Sequence, residues 1–189
     1  MLVLALGLVP ESMSYTIHDR FALNGEANVP AWYSAVLLFS ACLAAAVVSL
    51  RSPTSASRAC WLVLAGTYAF LSLDEGACLH EFLEKTMAAK WAYFYAPFAA
   101  VFVAFCLWHL WRHACPRTRR WILTGLVASA AGGIGLELVS HAFDPLPDAV
   151  QLAEFAAEEG LEMVGTIMVL TGCLHQLNWL DQQPTATNS

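Results

Sequence analysis

The amino-acid sequence predicts an all-α fold, an integral membrane helical bundle of about five transmembrane helices. Three observations predict it. Of the 189 residues, 58% are hydrophobic and only 13% charged, against about 25% charge in a typical soluble domain. Five stretches approach the roughly 20 apolar residues that cross a hydrocarbon layer. The arginines gather in two of the connecting loops, as they do where a multipass chain fixes its orientation. A mean hydropathy of +0.56 agrees. Composition and a net charge of −6 argue against a soluble enzyme and against any nucleic-acid partner; the expected partner is the lipid bilayer.

Residues 1–10 (MLVLALGLVP) are apolar but too short to span, and they lack the positive n-region and A-x-A site of a signal peptide. They read as the end of a helix whose start is truncated. A polar stretch with the turn dipeptide Asn24-Gly25 follows, so 1–29 is an apolar stub plus an outer loop. The spans fall near 30–50, 59–80, 91–112, 121–142 and 155–178. Between them lie RSPTSASR, HEFLEKTMAAK, RHACPRTRR and HAFDPLPDAVQ, each rich in charge or turn formers. Trp32, Trp61, Trp91, Trp111, Trp121 and Trp179 stand at span ends, where aromatic belts form. The bundle thus occupies 30–180, and 181–189 is a disordered cytoplasmic tail.

Orientation follows from charge. Arg51 and Arg58 share one loop, and Arg112, Arg117, Arg119 and Arg120 share or border another two spans later. Both loops are expected in the cytoplasm of a bacterial inner membrane. Of the 15 carboxylates, all but Asp181 then fall on the periplasmic side or in the outer parts of spans. Ionisable groups at membrane depth are expensive, so this layer is the candidate site.

Its dense part is Asp74-Glu75 with His80-Glu81, then Glu137 with His141, then Glu154, Glu158, Glu159 and Glu162. A helix continuing through His80 puts Asp74, Cys78 and Glu81 on one face. Glu137 and His141 share a face at i, i+4, and Glu154, Glu158 and Glu162 form an i, i+4, i+8 row flanked by Gly165. Carboxylates at this density must be protonated, hydrated or neutralised by a cation. A divalent metal neutralises several at once, and carboxylate plus imidazole suits iron, manganese or zinc. Di-iron carboxylate bundles are built similarly but from two Glu-x-x-His motifs, where this chain has one Glu-x-x-x-His. The expected ligands are Glu75, His80, Glu81, Glu137, His141, Glu158 and Glu162, with Asp74 and Glu159 as catalytic bases or supporting groups. The plainer reading of Glu154 and Glu158 is solvated acids favoured by a helix N-terminus. That reading fails for Asp74, Glu75, Glu137 and Glu162, which are embedded in apolar sequence.

Six single cysteines form no metal or disulfide pattern, and Cys78 alone stands among the acids. His109, His113 and His175 near the inner ends make a haem pair conceivable, but they serve as readily as interfacial residues, and haem is the weaker cofactor reading.

The segments NGEANVPAWYS, FLSLDEGACLHEFLE and AEEGLEMVG resemble the motifs of a family of uncharacterised bacterial multipass membrane proteins. That family's pattern is a D-G-E-x-N-x-P-x-W-[FY]-S entry, an S-[LI]-D-E-x-x-x-x-H-E span end and an E-E-x-x-E-M-x-G final span. The resemblance implies roles for Glu26, Asp74, Glu75, His80, Glu81, Glu158, Glu159, Glu162 and Gly165; Asn24 departs from the pattern's Asp. It implies no reaction.

The leading expectation is a metal-binding membrane protein, acting on a lipid-soluble substrate if it is an enzyme, either an oxidoreductase or a hydrolase. The alternative is a non-catalytic accessory subunit that meets partner membrane subunits through small-residue faces at 44–46 and 128–133. Proton conduction lacks acids in the inner halves of the spans, and a ceramidase-like hydrolase lacks an outer His-x-x-x-His pair.

Overall fold

The computed structural model describes residues 20–21, 28–87, 91–143 and 147–183. Among these the chain is helical throughout, with no strand, and 5 helices are long and apolar enough to cross a membrane. The expected fold class therefore holds.

Helix α1 is Val29–Arg51. It starts where the Asn28 side chain accepts from the Ala31 N–H at 3.1 Å and Pro30 occupies the first turn. After Arg51 the chain reverses within a few residues. Ser52 Oγ donates to the Val48 carbonyl at 2.9 Å, Arg58 Nε donates to the Ser52 carbonyl at 2.8 Å, and Ser49 Oγ donates to the Arg58 carbonyl at 2.9 Å. Helix α2, Ser55–Ala77, is capped by Thr54, whose hydroxyl accepts from the Ser57 N–H at 3.2 Å. The hairpin packs through Ala41 and Ala45 against Trp61, Ala65 and Tyr68, all buried; small residues let the two backbones approach.

The segment expected as a loop after the second span is instead a short helix, α3, Leu79–Met87. The break that creates it lies at Cys78, which adopts a left-handed φ of 53°. Helix α4 is Trp91–His113, with Pro97 inside it. The fourth span is not one regular helix: α5 (Pro116–Ala130) passes through a π-helical turn, Ala131–Leu136, into α6, Glu137–Ala142. Helix α7, Asp148–Asp181, begins directly after Pro147 and so takes in the end of the expected final loop, Asp148 to Gln151. Its 34 residues rise about 51 Å at 1.5 Å each, well beyond a hydrocarbon layer of about 30 Å.

Glycines set the α5–α7 crossing. A Cβ on Gly125 would lie 2.5 Å from the Gly165 carbonyl, and one on Gly172 would lie 2.5 Å from Ile122 Cγ1. Only hydrogen fits there, which is how helices associate where lipid removes the hydrophobic drive. The small-residue faces considered for an external partner are thus used, in part, within the chain: Ala45 is 0% exposed, and Gly132 and Gly133 are buried against α7.

The core runs through Val48, Trp61, Leu64, Ile122, Leu126, Val169 and Cys173. It lies toward the end of the bundle that carries the arginines, where Arg51 pairs with Asp181 at 2.7 Å and Arg112 and Arg119 lie over Trp108 and Trp111. Among the described residues, α4 packs on this core from Phe102 to Leu110, and nearer the acidic end it meets α2 through Tyr95. Cys106, His109 and Leu110 are buried, whereas Phe98 is 77% and Val101 72% exposed.

Candidate functional site

Between α2, α4 and α7, a partly open cavity of about 1280 Å³ runs into the acidic end of the bundle. One wall is α2, through Val63, Gly66, Phe70 and Leu71. The facing wall is α4, through Phe98, Phe102 and Phe105, and α7 closes the head with Phe155. Asp74, Glu75, His80, Glu158, Glu159 and Glu162 line that head, so six of the nine residues expected to act lie on one cavity. The side chains of the other three, Glu81, Glu137 and His141, lie outside the described residues, as do Asn24 and Glu26.

Asp74 is the buried anchor. Its Oδ2 lies 3.3 Å from His80 Nδ1, and its Oδ1 accepts from the Tyr95 hydroxyl at 3.2 Å. In a continuous helix, positions six apart point about 120° away from each other and sit about 9 Å apart along the axis. The left-handed turn at Cys78 removes both obstacles by folding α3 back toward α2. The same break corrects the expectation that Asp74, Cys78 and Glu81 share a face, since that register needs an unbroken helix. Cys78 is a backbone hinge here, a position usually given to glycine because a Cβ disfavours positive φ.

Glu162 comes from α7 and interacts electrostatically with Glu158, Glu159, Glu75 and His80. Its backbone carbonyl is fixed by Thr166 Oγ1 at 2.9 Å and Ser129 Oγ at 3.4 Å. Across from it the π-helical turn presents Gly133, where an added Cβ would collide with Glu162 Oε1. The turn thus brings backbone, without a side chain, against the carboxylate; π-helical turns often occur at such functional positions. Glu154, the first member of the row, lies one turn before the cavity-lining Glu158, with a buried Oε1 that has no hydrogen-bond partner among the described residues.

Tyr95, Ser129, Gly133 and Thr166 were missed by sequence reasoning. Thr166 continues the Glu154, Glu158, Glu162 spacing by four and was legible on that ground. Tyr95 lies in an aromatic run, WAYFY, that reads only as a membrane-interface belt.

The donor set is carboxylate oxygen and imidazole nitrogen, which fits a hard or borderline divalent ion. Among the described residues no three His, Cys, Asp or Glu side chains already converge as closely as an enclosed ion requires. At the opposite end, His109 is buried and stacks on His113 at 4.6 Å, and it lines a space of about 10 Å³ with Cys60, Trp61 and Cys106.

Residues 1–177 match a family described as Domain of unknown function (DUF8692). No curated protein and no solved structure matches the chain. The match spans nearly the whole sequence, and the chain belongs to the DUF8692 family.

Proposed function

We propose that this multipass membrane protein binds one or two divalent cations at the acidic head of the cleft, with the apolar remainder admitting a lipid-soluble substrate. One observation carries the reading: a histidine buttressed by a buried carboxylate is turned toward glutamates supplied by α2 and α7. Metal-ligating histidines commonly donate one ring nitrogen to a carboxylate, which fixes the ring and raises the basicity of the other. Asp74 takes that supporting role, with Tyr95 bracing it. Glu75, His80, Glu158 and Glu162 are the ligands of the reading, and Glu81, Glu137 and His141 complete its set. Glu159 is the base. A bound ion would supply Lewis-acid or redox chemistry, and oxygen with imidazole favours iron, manganese or zinc.

By the distribution of arginines, the basic end and the C-terminus face the cytoplasm of a bacterial inner membrane and the acidic head faces the periplasm. The SLDE-x4-HE and EE-x2-EM-x-G motifs are then the family's ligand-bearing segments.

Elemental analysis of detergent-purified protein tests the reading. The expected result is one or two equivalents of metal per chain, lost in His80→Ala and in Glu162→Gln. Metal-free protein that takes up none on dialysis sinks it.

A second reading, an accessory subunit, draws on the exposed acidic-end half of α4, a surface that a partner helix could cover. Stable co-purification with another membrane protein, together with absence of metal, is its signature.

A further inference from the structure

The geometry points to the occupant of the cleft: a neutral amphiphile with a hydroxyl-bearing head, entering from the bilayer between α2 and α4 in the stretch that runs from the Tyr95–Asp74 contact to the buried Cys106. The inference rests on the reading of the acidic head as a cation site.

Entry from the side follows from how α4 is held. It is buried at Cys106, His109 and Leu110, yet Phe98 and Val101 are both cleft-lining and more than 70% exposed. The cleft wall is therefore continuous with the lipid-facing surface. The cavity, about 1280 Å³, exceeds the usual range of roughly 300–1,000 Å³ for small-molecule sites, which leaves room for a chain behind a head.

A hydrocarbon chain gains little by leaving lipid for an apolar cleft, because lipid tails are as apolar as the walls. Selectivity falls to the head. There, Asp74, Glu75, Glu158, Glu159 and Glu162 present acceptors, and among the described lining residues no Lys or Arg appears. With one or two divalent ions bound, the five carboxylates still outnumber the positive charge, so an anionic head such as phosphate is disfavoured against a neutral one. An ammonium head competes with the metal for the same oxygens. A hydroxyl does neither: it donates to a carboxylate and offers a lone pair to an ion.

Gly66 provides the means of blocking the cleft. It lies on the α2 wall, and a Cβ there would meet nothing within 4 Å, so a side chain can leave the helix at this position without displacing a neighbour at its root.

The experiment uses the full chain, metal-loaded, in nanodiscs of zwitterionic lipid. Three diazirine probes share one dodecyl chain and differ only in head: hydroxyl, ammonium or phosphate. The hydroxyl probe is expected to label α2 and α4 peptides about tenfold more than the phosphate probe, the worth of one hydrogen bond to a charged group. Gly66→Trp should remove that labelling while metal content stays unchanged, and Gly66→Ala should retain both. Equal labelling by phosphate, stronger labelling by ammonium, or labelling undiminished in Gly66→Trp overturns the proposal while leaving the cation reading intact. Metal-free protein overturns the cation reading instead, and with it the choice of hydroxyl over ammonium.

Discussion

Asp74 shows how much of the site is decided by single side chains. It is 8% exposed, and its two oxygens are divided between His80 and Tyr95. Removing the Tyr95 hydroxyl leaves the ring packed beside Phe70 and takes away one brace. Tyr95→Phe is therefore expected to weaken metal binding by about tenfold, at the low end of the roughly 10–100-fold that outer-shell partners are worth. Isothermal titration of the metal checks this, with Asp74→Asn expected to lose more. Glycines give a sharper contrast. Gly133→Ala drives a methyl into the Glu162 carboxylate, so it should abolish metal binding and destabilise the bundle by about 1–3 kcal/mol, the usual cost of overpacking. Gly160, on α7 just before Glu162, has nothing within 4 Å of an added Cβ. Gly160→Ala should raise stability by about 0.5–1 kcal/mol through helix propensity alone. Thermal unfolding in detergent separates the two, and similar effects from both would refute the assigned proximity.

At the scale of elements, the spans were legible because a membrane helix must satisfy its own backbone and present an apolar exterior, and both leave a compositional trace. The departures were not legible, for physical reasons. Asp74 and His80 are too far apart on a continuous helix to meet, and nothing in ACLHE marks Cys78 as left-handed, since the residues that adopt that region readily are glycine and asparagine. The π-helical turn at Ala131–Leu136 depends on how closely α7 approaches, which is a tertiary fact with no local signature. The hinge can be tested. Left-handed backbone penalises a residue with a Cβ by about 1–2 kcal/mol, so Cys78→Gly is expected to raise the melting temperature and keep metal binding. Cys78→Val, with a β-branched side chain at positive φ, is expected to lower both. Equal tolerance of Val and Gly would mean that the break does not hold His80 against Asp74.

The whole molecule is unequal along its length: α4 is buried toward the basic end and largely exposed along the cleft that leads to the acidic end. The arginines announced this polarity in the sequence, but the cleft itself was invisible there, because a gap between helices is made by what does not pack. α4 is buried at Cys106, His109 and Leu110 and exposed at Phe98 and Val101, touching α2 beyond them through Tyr95, with Pro97 inside the exposed half. A proline within a helix removes a backbone hydrogen bond and favours bending at that level. Drawing the glutamates of α7 and α2 together around a cation should therefore move the acidic half of α4 and leave the basic half in place. Spin labels at Leu73 and Tyr93, both exposed at the acidic end, report one distance. Labels at Ser55 and Arg112, exposed at the basic end, report the other. Adding diamagnetic Zn²⁺ is expected to narrow the distance distribution of the first pair and leave the second unchanged. If both pairs shift together, α4 moves as a rigid body and is not held at the basic end. If neither shifts, the acidic groups bind without closing the cleft, and the opening between α2 and α4 is a fixed feature of the bundle.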